Sequence, residues 1–222
     1  MKSLMYLAAA AWLASAAPPA PKASPAAASP VGPEAVWSPP AEFRGTFDAS
    51  CAGAGRDMSA CFRRAIKKAG ASPAAVAFAR RLGGQGYLIQ FREAGVVDVA
   101  YAEYPFRANE NRVILLVNGE PPTIDVDDPS RISAKTFAGN AAYAALLRSA
   151  PELAIFPGDR SSPRFPRVRT RADGGRSYVV PYALKDGCHA CRTLGEAQVG
   201  FEFDARGRFE SVAIMRVQAR SR

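Results

Sequence analysis

From Phe43 onward the chain alternates between two apolar rhythms, and each predicts a different element. Cys61, Phe62, Ala65, Ile66 and Ala69 recur at three- and four-residue spacing. With Asp57 or Ser59 as cap and Gly70 as stop, they predict a helix. Ser72 then caps a second helix with Pro73 in its first position and Val76, Ala79 and Leu82 on its apolar face. Gly83-Gly84 ends it. Arg63, Arg64, Lys67, Lys68, Arg80 and Arg81 fall on the outer faces and read as a solvated charged surface.

The rhythm then shortens. Gly86 to Arg92 and Val96 to Tyr104 predict two strands joined as a hairpin through Glu93-Ala94-Gly95. Arg112 to Val117 predicts a third, and Asn118-Gly119 suits the positive φ values of a type I′ turn. The return strand, Thr123 to Val126, begins behind Pro121 and Pro122, which places it at an edge or a bulge. Asn140 to Ser149 reads as a helix that faces Tyr143, Leu146 and Leu147 inward and stops at Pro151. Arg167 to Ala172, Arg176 to Leu184, Ala197 to Phe203 and Phe209 to Val217 predict four more strands. The expected class is α+β: an antiparallel sheet of hairpins and a C-terminal meander, with two or three short helices packed on it. A division into two small lobes, 43–156 and 167–222, fits the same pattern.

Composition changes the picture at the N-terminus. The 48% hydrophobic content counts 44 alanines, of which 14 lie in the first 42 residues. Residues 1–16 combine Lys2, an apolar run and Ala14-Ser15-Ala16, the pattern of a cleaved secretory signal peptide. Residues 17–42 hold eight of the chain's 18 prolines and read as an extended tether, in which Trp37 is either incidental or the one residue that docks back on the domain. The globular domain is expected over 43–222, in a bacterial periplasmic or secreted protein with no membrane span once the signal is removed.

Export makes oxidation of the four cysteines the default; they allow three pairings, of which the local one, Cys51 with Cys61 and Cys188 with Cys191, is expected. Cys188-His189-Ala190-Cys191 also invites a thiol-disulfide reading, or a metal-handling one with soft sulfur and imidazole ligands. Neither has its context. The span Arg192 to Glu196 leaves no room for the helix that a redox Cys-x-x-Cys opens, and the single His supplies no four-ligand zinc set. No nucleophile elbow, phosphate loop or dinucleotide fingerprint is present, so no cofactor is indicated. Asp98, Glu103, Asp125, Asp127 and Asp128 are the carboxylates that could serve hydrolysis or calcium binding, but Asp125 to Pro129 reads as a turn. Nothing assigns catalysis, and a non-enzymatic binding module is expected.

Charge adds a partner class. The net +9 lies wholly beyond residue 42, because Lys2 and Lys22 cancel Glu34 and Glu42. Six arginines fall between 160 and 176. Arg167, Arg169 and Arg171 alternate with Val168, Thr170 and Ala172, so a strand projects all three guanidinium groups to one side. Such a row suits carboxylate or phosphate groups. For an exported protein these belong to an anionic envelope polymer or glycan, not to intracellular nucleic acid.

Overall fold

A computed structural model describes residues 30–51, 57–107, 111–158 and 165–220; the expected signal peptide and the glycine-rich loop at 52–55 lie outside them. Helices α1 (Phe43–Cys51), α2 (Met58–Lys68) and α3 (Pro73–Arg81) precede strands β1 (Tyr87–Arg92), β2 (Asp98–Glu103), β3 (Arg112–Val117) and β4 (Thr123–Asp125). Short helices α4 (Ala134–Phe137) and α5 (Ala141–Ser149) lead to β5 (Leu153–Pro157), β6 (Arg167–Thr170), β7 (Arg176–Asp186), β8 (Thr193–Phe203) and β9 (Phe209–Ala219). The class is α+β, with two antiparallel sheets and a few short helices.

Period-two alternation decides what each face of the first sheet, β1-β2-β3-β4, meets. Val99, Tyr101, Ile114, Leu116 and Ile124 point to one side and join Tyr178, Val180, Tyr182, Leu184, Ala197, Val199, Phe201 and Phe203 of the second sheet in the largest apolar cluster. That cluster draws on residues from both 43–156 and 167–222 and also takes in Phe137 and Tyr143. Leu88, Ala100, Ala102, Val113, Leu115 and Val117 point the other way and pack on Phe78 of α3. A third cluster joins α1, α2 and α3 through Phe43, Phe47, Phe62, Ile66 and Ala79. The layers therefore run helices, first sheet, second sheet.

The helix signals act as their chemistry dictates. Ser72 Oγ accepts the Ala75 amide at 3.0 Å, and Gly70, Gly83 and Gly84 hold φ values of +85°, +67° and +71° at the two helix ends. Asp57 stands at the N-cap of α2 without a side-chain cap hydrogen bond.

Several expectations are corrected. Residues 30–37, read as tether, pack on the domain: Val31, Ala35 and Trp37 are buried, and the Trp37 amide donates to Leu88 O at 2.8 Å. Trp37 is no incidental residue, since its ring meets Phe43 and Tyr87 edge-on at 4.8 and 5.0 Å. The domain opens with three helices because α1 forms around Phe43 and Phe47, which pack against Phe62. Asn118-Gly119 is not a two-residue turn. Val117 pairs with Thr123, so five residues, 118–122, make the connection, and Asn118 alone among non-glycine described residues has a positive φ, +67°. Leu153–Pro157, to which the sequence pattern assigns no element, is a strand that pairs with β7.

Strand β7 has two partners on one edge. β5 pairs with its Tyr182–Asp186 end and β6 with its Arg176–Val179 end. On the other side β8 and then β9 complete the sheet as a meander.

Candidate functional site

Register places the arginine row. Arg167 lies opposite Val179, which lies opposite Gly200 and then Ala213. Arg169 lies in the next row, opposite Ser177, Glu202 and Ser211. Val168 between them packs against the largest core cluster with Tyr178, so Arg167 and Arg169 project from the opposite side of the sheet. Both are exposed, and among the described residues neither has an ion pair.

Arg171 shares their side of the sheet but not their freedom. Its guanidinium pairs with Asp173 Oδ2 at 2.5 Å, Glu210 Oε2 at 2.5 Å and Glu202 Oε2 at 3.4 Å. The Glu210 hydrogen bond, and then the charges of Asp173 and Glu210, hold its pKa above the usual arginine range. The Gly175 amide and Arg171 hold Asp173 below the usual carboxylate range. Glu202 is 13% exposed and also accepts from Ser177 Oγ at 2.9 Å. Such a group is structural: it ties the turn after β6 to β8 and β9. The three-arginine row thus resolves into a pair facing solvent and one residue held in an ion network. Alternation shows the direction of Arg171 but not its partners, which arrive from strands some 30 to 40 residues later.

The cysteines pair locally. Cys51 and Cys61 join α1 to α2 with Cα atoms 5.9 Å apart, and Cys51 is buried. Cys188 and Cys191 close the turn between β7 and β8, with Cα atoms 5.0 Å apart and the Cys191 amide donating to Cys188 O at 3.0 Å. The motif sits in a hairpin tip and opens no helix. The Cys188 thiolate would therefore lack the helix N-terminus that lowers a thiol pKa in oxidoreductases. His189 meets the Phe156 ring edge-on at 5.2 Å, and Lys185 Nζ donates to the His189 carbonyl.

The candidate carboxylates are dispersed into local structural roles. Asp98 Oδ1 accepts from the Ala94 amide at 2.9 Å, and Glu103 lies near Arg44 and Arg112. Asp125 Oδ1 accepts from the Asp127 amide at 2.8 Å and Asp128 Oδ1 from the Ser130 amide at 2.9 Å, which are turn contacts. The Ser130 hydrogen bonds hold Asp128 below the usual carboxylate range. Among the described residues no three His, Cys, Asp or Glu side chains converge on a metal position. No helix there is long and apolar enough to cross a membrane, and two disulfides are compatible with an extracytoplasmic protein. No protein-family model matches the chain, and no curated protein or solved structure does.

Proposed function

We propose that the chain is an exported bacterial envelope module that binds an anionic polymer or glycan without catalysis, in a periplasmic or secreted setting with which its two disulfides are compatible. The observation that carries this reading is the pair Arg167 and Arg169, exposed without ion pairs on one side of β6 while Val168 anchors the strand from the other. Two positions two residues apart stand about 6.7 Å apart along a strand backbone and project to the same side, so one extended polyanion can meet both guanidinium groups. Each offers a planar fork for carboxylate, sulfate or phosphate oxygens. The charge of Arg171 is already met by Asp173, Glu202 and Glu210. It positions the turn and contributes little to the binding surface.

The test is retention on immobilised heparin and polygalacturonate across a salt series. Affinity should fall with added salt, and the Arg167→Ser/Arg169→Ser variant should bind several-fold more weakly than the parent. Absent or salt-independent binding, or an unchanged double variant, would remove the reading.

The exposure of Cys188 supports a second reading, a thiol-disulfide or metal-handling protein. It predicts that thiol trapping across a redox titration places the Cys188–Cys191 bond in the range of oxidoreductases; resistance to glutathione opposes it.

A further inference from the structure

A cavity of about 400 Å³ opens where the N-terminal segment turns into α1. Pro39, Pro40 and Pro105 form part of its rim, and the rings of Phe43, Phe47 and Tyr87 line it. Two charged residues reach the same space, Arg44 and Glu103. This volume lies within the range of small-molecule sites, roughly 300–1,000 Å³, whose common form is apolar walls with a few convergent polar groups.

The charged pair is loosely joined. Arg44 Nη2 stands 3.7 Å from Glu103 Oε1, and Arg112 Nε stands 3.5 Å from Glu103 Oε2. Both exceed the roughly 2.7–3.2 Å of an N–H···O hydrogen bond. The Arg44 side chain is 67% exposed, whereas Glu103 is 14% exposed. The guanidinium therefore keeps donors for an incoming anion; the carboxylate, which already accepts the Tyr87 hydroxyl, keeps its further lone pairs for an incoming cation. Burial, and then the charge of Glu103 and the hydrogen bond to it, push the Tyr87 hydroxyl well above the usual tyrosine range, so it stays protonated and donates to that carboxylate.

We infer that this cavity binds a free α-amino acid with an apolar, preferably aromatic, side chain. The ligand carboxylate lies on Arg44, its ammonium on Glu103, and its side chain against Phe43, Phe47 and the prolines. The inference follows from charge geometry: an adjacent cation and anion at the cavity are complemented by a cation and an anion carried on one carbon. A simple carboxylate meets Arg44 alone, and a simple amine meets Glu103 alone, so neither uses both charges at the cavity. A peptide has its two termini too far apart to meet both. This site involves neither Arg167 nor Arg169, so it stands apart from the proposed polymer surface.

The cavity also holds its own reporter. The Trp37 ring lies against both Phe43 and Tyr87. Trp12 lies in the expected signal peptide, so in the chain from residue 17 onward Trp37 is the sole tryptophan. L-phenylalanine, phenylacetate and phenethylamine are titrated against its fluorescence, with calorimetry in parallel. The expected result is saturable binding of L-phenylalanine, weakened about tenfold or more in either one-charge analogue, because each lost charge-assisted hydrogen bond carries at least that factor. Arg44→Gln and Glu103→Gln should each produce a loss of the same order. Glu103→Gln is read only if its circular dichroism matches the parent; the exposed Arg44→Gln keeps the test decisive if it does not. Absence of saturation, equal binding of all three compounds, or unchanged binding in Arg44→Gln overturns the inference.

Discussion

Asn118 holds Val31 from both sides: its Oδ1 accepts the Val31 amide at 2.6 Å, and its Nδ2 donates to the Val31 carbonyl at 2.7 Å. The same Nδ2 donates to Asp98 Oδ2 at 2.7 Å, which ties the N-terminal segment to the start of β2. One side chain thereby completes the backbone hydrogen bonding of a residue 87 positions earlier.

Because Asn118 has φ +67°, the informative substitution is Asn118→Gly, which removes the side chain and keeps the backbone. Loss of two hydrogen bonds to buried backbone should cost about 1–3 kcal/mol. Denaturant unfolding should show that loss, and amide exchange at Val31 and Trp37 should accelerate more than exchange in β8. Equal acceleration throughout would show that the segment is not separately held.

The two disulfides should differ in both access and worth. In a chain-entropy estimate the Cys51–Cys61 loop contributes about 2.7 kcal/mol and the Cys188–Cys191 loop about 1.9 kcal/mol. Cys51 is 1% exposed, while Cys188 faces solvent. Mild reductant with thiol trapping should therefore label Cys188 and Cys191 first, with little change in circular dichroism. Labelling of Cys51 and Cys61 should accompany unfolding. Simultaneous labelling of all four would contradict this assignment.

Arg171 and the Arg167/Arg169 pair should separate stability from binding. Arg171→Ser leaves the Glu202 carboxylate, 13% exposed, with its Ser177 hydroxyl donor but without its cation. Its Tm should fall further than that of Arg167→Ser/Arg169→Ser, a surface change of the kind that usually moves stability by less than about 0.5 kcal/mol. Polymer retention should rank the variants in the opposite order.

Tyr178 sets an alkaline limit. Its hydroxyl donates to Val97 O at 2.5 Å, across the sheet interface, and burial raises its pKa from 10.0 to about 12. A folded pKa above the unfolded value contributes stability in full below pH 10 and loses it as pH climbs toward about 12. Tyrosinate absorbance and loss of circular dichroism should therefore rise together in that window. Tyr178→Phe should start about 1–3 kcal/mol less stable, through the unpaired Val97 carbonyl, and show a flatter alkaline limb.

Much of the fold was legible because local chemistry and hydrophobic period agreed. Ser72-Pro73, Gly70 and Gly83-Gly84 mark helix ends whatever lies around them, and alternation sends Tyr178, Val180, Tyr182 and Leu184 to one face, which joins the largest core. Helix α1 gave no such signal. Its sequence, FRGTFDASC, contains weak helix formers, and its helicity rests on Phe43 and Phe47 stacking against Phe62. Over the described residues 30–42 the proline-rich segment forms a three-residue 3-10 turn at Pro33–Ala35 and an isolated bridge from Val36 to Leu88. Its prolines could not reveal that Val31 and Trp37 use their amides on Asn118 and Leu88.

The same division applies to the candidate sites. By itself the sequence determined the α+β class and the common direction of Arg167, Arg169 and Arg171, because each follows from period within a short stretch; it left three cysteine pairings open, and the structure supplies the local one. Tertiary structure alone decided that Arg171 meets Glu202 and Glu210 while Arg167 and Arg169 remain exposed. It alone brought Arg44 beside Glu103 under a rim of prolines. The physical reason is distance along the chain: a strand's own pattern dictates which way a charge points, but the opposite charge comes from whichever distant element the shared core places beside it.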